Sequence, residues 1–150
     1  MKKNLLDKTA SDTIIARVGN LNPNSKHLWG KMTATEMLMH CNLCNKQILE
    51  EKRGDKKTTL KQFLLRLLAL YIAPNFTKGL KSESRHITKG KIKDTHFEEQ
   101  KILFINIIRL FPLNTLQLTL THPAFGNIST NEWGIAAYKH MDHHLRQFGV

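Results

Sequence analysis

The chain has 150 residues, 41% of them hydrophobic, and a net charge of +11, a length that suits one domain burying roughly two-thirds of its unfolded surface. Two cysteines exclude a disulfide-stapled fold, and no run approaches the roughly 20 apolar residues a membrane helix needs. The start, "MKKNLLDKTASD", lacks an apolar run of signal-peptide length, so the expectation is one cytoplasmic domain over residues 1–150.

Residues 8–20, "KTASDTIIARVGN", predict a first helix with Ile14, Ile15 and Val18 apolar and Gly19 and Asn20 as stop signals. After the linker "LNPNSKHLWGKM", Thr33 and Glu36 form a T-x-x-E capping box that opens a second helix ending near Gly54. Residues 58–73, "TTLKQFLLRLLALYIA", are apolar almost all round, which predicts an additional helix that is buried or packs on a second copy of the chain. Residues 75–93 are polar, basic and aperiodic and read as a mobile loop.

A third long helix is expected from Asp94 to Leu110, with Phe97, Ile102, Ile105 and Ile108 at helical spacing, packing along the second and stopping before Pro112. In "LQLTLTHPAFGN" the alternation of Leu116, Leu118 and Leu120 predicts an extended segment with no second strand to pair it. A second capping box, Ser129 to Glu132, opens the last helix, "STNEWGIAAYKHMDHHLRQF". Four or five helices joined by crossover-length connections define an all-α helical bundle.

The charge sits in one place. Residues 52–93 hold twelve Lys and Arg against Asp55 and Glu83, or +10 of the total +11. Such a stripe can serve an anionic or nucleic-acid partner, but aromatic residues are sparse there, and a solvated basic loop is the simpler reading.

The histidines divide on helical wheels. At 100° per residue, with Trp133 at zero, Ala137 falls at about +40°, His140 at about −20°, His144 at about +20° and Phe148 at about +60°. These five share one inward stripe, and Ala136 and Ala137 leave room beside the imidazoles. His143 lies at the margin, while Lys139, Asp142 and Arg146 are expected to face water. Imidazoles at i and i+4 project about 6 Å apart along the axis, a spacing that suits chelation of a zinc-like ion with nitrogens at about 2.0–2.1 Å.

A third ligand is offered by His40, which shares a face of the second helix with Thr33, Glu36, Met37, Cys44 and Gln47. Neighbouring helices lie about 8–10 Å apart, so the three imidazoles can meet, and three histidines with one open position describe a catalytic rather than a closed structural site. Gln147 is a candidate to orient a ligand or substrate, Glu36 a candidate base, fourth ligand or orienting group although its capping role already accounts for it, and Cys44, one turn beyond His40, is an alternative ligand. Cys41 and Cys44 would need strained geometry to bridge within a helix. Of the other histidines, only His122 in "HPAFG" is expected near the site; His27, His86 and His96 are not.

Together these pieces resemble the DinB/YfiT-like superfamily of metal-binding four-helix bundles. The likeness is to a branch of unknown function carrying "WGKM", "MLxH", "HPxFG", "EWG" and a terminal "YKHxDHHLRQFG". Here they are Trp29 to Met32, Met37 to His40, His122 to Gly126, Glu132 to Gly134 and Tyr138 to Gly149. The resemblance implies a divalent metal, zinc or nickel, held by His40, His140 and His144. It also implies a hydrolase or thiol-dependent transferase acting on a small molecule, with a low-molecular-weight thiol as one candidate partner. Cys41, Cys44 and the basic stretch depart from the pattern. Two alternatives remain, a non-catalytic bundle braced by the metal and an anion- or nucleic-acid-binding protein using residues 52–93.

Overall fold

A computed structural model describes residues 2–50, 57–79 and 84–150. The main helices are α1 (Lys8–Gly19), α2 (Ala34–Glu50), α4 (Phe97–Leu113) and α5 (Thr130–Gln147), with a shorter α3 (Leu60–Leu67) between the second and the fourth. The fold is an all-α helical bundle in which α1 and α2 each pack against α4 and α5. The expected end of α2 near Gly54 lies outside the described residues, as does part of the basic stretch, residues 52–56 and 80–83.

Local chemistry fixes where the helices begin. The Asp7 side chain accepts from the Thr9 amide at 2.9 Å and starts α1. For α2, the Thr33 amide donates to Glu36 Oε2 at 2.8 Å and the Glu36 amide to Thr33 Oγ1 at 3.3 Å. For α5, the Ser129 amide donates to Glu132 Oε2 at 2.9 Å and the Glu132 amide to Ser129 Oγ at 3.2 Å. Both boxes expected from the sequence are thus formed, each satisfying two amides that a helix start otherwise leaves bare.

The fourth helix runs past its expected stop, because Pro112 lies inside its last turn. Proline cannot donate to the carbonyl four residues back, which here is Ile108, and the Ser11 hydroxyl of α1 donates to that carbonyl at 3.2 Å instead. The buried face of α4 is Phe97, Phe104, Ile107, Ile108 and Phe111, whereas Ile102 is exposed. The expected Ile102 anchor is replaced by a phenylalanine row one step round the helix.

The apolar run after residue 58 is a surface helix. It is capped by Thr59 and continues from Leu67 into a π-helical turn at Leu68–Ile72. Leu60, Leu64, Leu68 and Ile72, spaced four apart, are all more than half exposed, and only Leu70 of the run is buried. Internal packing of this face is therefore excluded, and contact with a second copy is the expectation that its exposure accommodates. Among the described residues no helix is long and apolar enough to cross a membrane.

Three further expectations are corrected. The segment before α5 does find a partner strand: β1 (Thr121–His122) pairs antiparallel with β2 (Gly126–Asn127) across a turn at residues 123–125, and Gly126 enters β2 with φ +70°. Lys139 does not face water; its ammonium donates to the carbonyls of Ala69 and Ala73 and so caps the end of the α3 run. Asp142 is half-buried between Arg17, at 2.7 Å, and Arg146, at 2.9 Å.

Candidate metal centre

The sequence stripe of α5 turns Trp133, Ala137, His144 and Phe148 into the bundle, with His140 beside them. From α2, His40 is brought to the same point. Its Nε2 lies 3.2 Å from Nε2 of His140, which in turn lies 3.0 Å from Nε2 of His144. Cys44 Sγ is 3.8 Å from His40 Nε2, and the donor atoms of His40, Cys44 and His140 all lie within 4.8 Å of one another.

Outer hydrogen bonds fix the tautomers. His40 Nδ1 meets the His86 carbonyl at 2.8 Å, and since a carbonyl can only accept, the ring hydrogen is on Nδ1. His144 Nδ1 meets Gln147 Oε1 at 2.9 Å. The Gln147 amide is itself oriented, because its Nε2 donates to the Trp29 carbonyl at 2.7 Å. In both rings the Nε2 lone pair consequently points into the cluster, which is the outer arrangement that metal-binding imidazoles require.

Without a cation this cluster would be poorly satisfied. His140 can contribute at most one hydrogen between three converging nitrogens, so at least one lone pair is left without a full hydrogen-bond donor. Three nitrogens held 2.0–2.1 Å from one tetrahedral ion lie about 3.3 Å apart, close to the 3.2 and 3.0 Å seen here. Burial lowers the pKa of all three imidazoles, with neighbouring imidazoles adding to the effect, and brings His144 to about 3. All are neutral near pH 7, the state in which imidazole binds a metal.

The remaining expected residues have distinct places. Cys44 borders the cluster, whereas burial raises the Cys41 thiol well above its ordinary pKa and its Sγ sits 3.6 Å from Met37 Sδ; neither cysteine forms a disulfide. Glu36 is not among the imidazoles: one carboxylate oxygen closes the capping box and the other accepts from the Gly90 amide. The Glu36 carbonyl accepts from the buried Thr88 hydroxyl at 2.7 Å. His86, Thr88 and Gly90 in this way tie part of the loop expected over residues 75–93 to α2. His143 packs edge-on against Trp29 at 5.9 Å and stays outside the Nε2 cluster.

The sequence missed His86, which acts through its main-chain carbonyl, and Trp29, which does the same. No residue-type signal marks a backbone acceptor. It also left open how His122 sits: the hairpin carries it to a cavity of about 170 Å³ shared with His140, Cys44, Ala136 and Ala137. Burial brings the His122 pKa down to about 4.

Gly30 offers a prediction. It has φ +88°, and a Cβ there would lie 2.3 Å from Gln147 Nε2. Gly30→Ala should push Gln147 off the Trp29 carbonyl and loosen His144, lowering metal affinity by about 10–100-fold, the usual cost of losing an orienting partner. Competition with a metallochromic chelator would measure it.

Fold and site define a class: an all-α bundle holding a buried cluster of imidazole and thiol groups that could bind a metal ion. The chain belongs to the family described as "Protein of unknown function (DUF1569)", whose profile matches residues 1–149. Comparisons with curated proteins and with solved structures gave no match.

Proposed function

We propose that the protein is a divalent-metal-dependent enzyme in which His40, His140 and His144 bind the ion through Nε2 and a small molecule enters from the adjoining cavity. The observation that carries this reading is the pair of Nδ1 hydrogen bonds, His40 to the His86 carbonyl and His144 to Gln147, which turn two lone pairs onto one point beside His140. Zinc or nickel suits an all-imidazole donor set. Such an ion, when bound with a position open, lowers the pKa of a water or thiol and supplies a nucleophile near neutral pH.

The chain's own residues do the rest. Helices α2 and α5 fix the three donors on rigid elements, and Gln147 and the His86 carbonyl hold two rings in plane. Ile48, Leu120 and Trp133 give the cavity apolar walls, against which the hydrocarbon part of a small substrate can rest. Hydrolysis of a small substrate, or transfer involving a low-molecular-weight thiol, fits this arrangement and the likeness to the DinB/YfiT-like proteins. Two cysteines outside any disulfide suit a cytoplasmic setting.

A second reading is favoured by Cys44. Its sulfur beside His40 could close the coordination sphere and make the ion a brace between α2 and α5. Cobalt substitution separates the two. With an open position, azide should shift the visible d–d bands of the cobalt protein, while a sealed site with a thiolate ligand should show an intense sulfur-to-cobalt charge-transfer band that azide leaves unchanged.

A further inference from the structure

Among the polar side chains that line the cavity beside the imidazole cluster and that the metal reading leaves unused, His122 is the one whose orientation its own hydrogen bonds define. Its Nδ1 lies 3.1 Å from the Ala124 amide and 3.2 Å from the Phe125 amide. Both amides can only donate, so Nδ1 is the acceptor and, in the neutral ring, the hydrogen is on Nε2. One face of the ring is stacked on Phe125, with centroids 4.0 Å apart and planes within 12°. Trp133 stands at 5.2 Å, itself held by its indole N–H donating to the Leu120 carbonyl at 2.9 Å.

With Nδ1 turned to the hairpin and the ring covered by aromatic groups, the edge bearing Nε2 is the part left to line the cavity. No hydrogen-bond partner for Nε2 is present among the described residues. A half-buried donor fixed in orientation at this wall is placed to pair with an acceptor on a bound molecule, and the pairing strengthens as that molecule displaces water from the cavity.

We infer that His122 is a substrate-binding residue, a neutral N–H donor that recognises the carbonyl-type oxygen of a small, mainly apolar molecule. Size and lining set the class. The cavity of about 170 Å³ is close to one that takes benzene, so the ligand has a compact hydrocarbon body and few polar atoms. Ile48, Leu120, Trp133, Ala136 and Ala137 meet that body, while His122 and His140 lie on the same cavity and so can both face one bound molecule. An oriented donor of this kind also suits negative charge developing on a carbonyl oxygen. The inference rests on the metal-site reading in one respect, that the molecule bound by His122 also reaches the imidazole cluster.

The test uses the protein as purified, with cyclopentanone as probe and methylenecyclopentane, its isostere without the oxygen, as control. Imidazole nitrogen spectra should show His122 as the Nε2–H tautomer, and cyclopentanone, not its isostere, should shift that signal. Cyclopentanone should bind about tenfold more tightly than the isostere, the effect of roughly one buried hydrogen bond. His122→Phe should abolish that preference with metal content unchanged. An Nδ1–H tautomer, or equal affinity for the two probes, overturns the inference. So does loss of metal in His122→Phe, which would make His122 a ligand. Should that variant fail to fold, the wild-type tautomer and probe pair still decide. Protein purified without metal would defeat the metal reading, whereas tautomer and probe preference are read independently of it.

Discussion

His140→Ala is expected to abolish tight metal binding, lowering affinity by more than about 100-fold, beyond the usual range for losing a merely orienting partner. The argument is geometric. His140 Nε2 is the nitrogen that lies within 3.2 Å of His40 and 3.0 Å of His144, and it belongs equally to the His40–Cys44–His140 group. Every plausible donor set therefore passes through it. The other members discriminate: with three imidazole ligands, His144→Ala loses the ion and Cys44→Ser keeps it; a His40–Cys44–His140 set reverses the two outcomes, and a sphere closed by all four groups is weakened by both. Metal analysis after gel filtration, alongside circular dichroism to show retained helix, reads all three variants. Wild-type protein should carry about one divalent ion per chain, and a metal-free wild type with intact helix would remove the proposal altogether.

The parts of this molecule that were legible in the sequence are those set by a helix's own periodicity and ends. Both capping boxes form because Thr33 with Glu36 and Ser129 with Glu132 act within four residues. The inward stripe of α5 follows from 100° per residue, and the small side chains Ala136 and Ala137 do border a cavity. What a wheel cannot show is which neighbour covers a face. Lys139 is turned from water because the α3 run ends at its ammonium, and Asp142 because Arg17 reaches it from α1. The same limit hid the exposure of α3, whose apolar stripe reads alike whether buried or facing solvent. At the site, the imidazoles carried a residue-type signal, but the carbonyls of His86 and Trp29 that orient His40 and Gln147 carried none. Their segments are aperiodic, and Thr88 and Gly90 bind to α2 through contacts 52 and 54 residues apart in sequence.

Metal-free protein is expected to lose stability steeply between about pH 6.5 and 5, well before its carboxylates are protonated. The sign follows from the direction of the shifts. In the unfolded chain histidine titrates near 6.5; in the folded protein burial lowers His122 to about 4 and His144 to about 3. Between these values the unfolded chain takes up protons that the folded one refuses, so acid favours unfolding, and stability rises with pH across that window. Each group costs about 1.4 kcal/mol per pH unit, hence roughly 2 kcal/mol by pH 5 and roughly 4 kcal/mol for the two together. His40 and His140, also lowered by burial, add in the same direction. That loss is a large share of the 5–15 kcal/mol typical of a folded domain. Urea denaturation of chelator-treated protein at pH 7.5, 6 and 5 would measure it, and His122→Phe should remove about half of the slope assigned to the pair. Bound metal should raise stability at pH 7.5 by the mass-action term for a ligand of the folded state, and this gain should shrink as protons displace the ion. A profile for metal-free protein that is flat from pH 7.5 to 5 would mean that the imidazoles are solvated rather than buried, and the cluster would then lack the neutral, desolvated donors on which the metal reading depends.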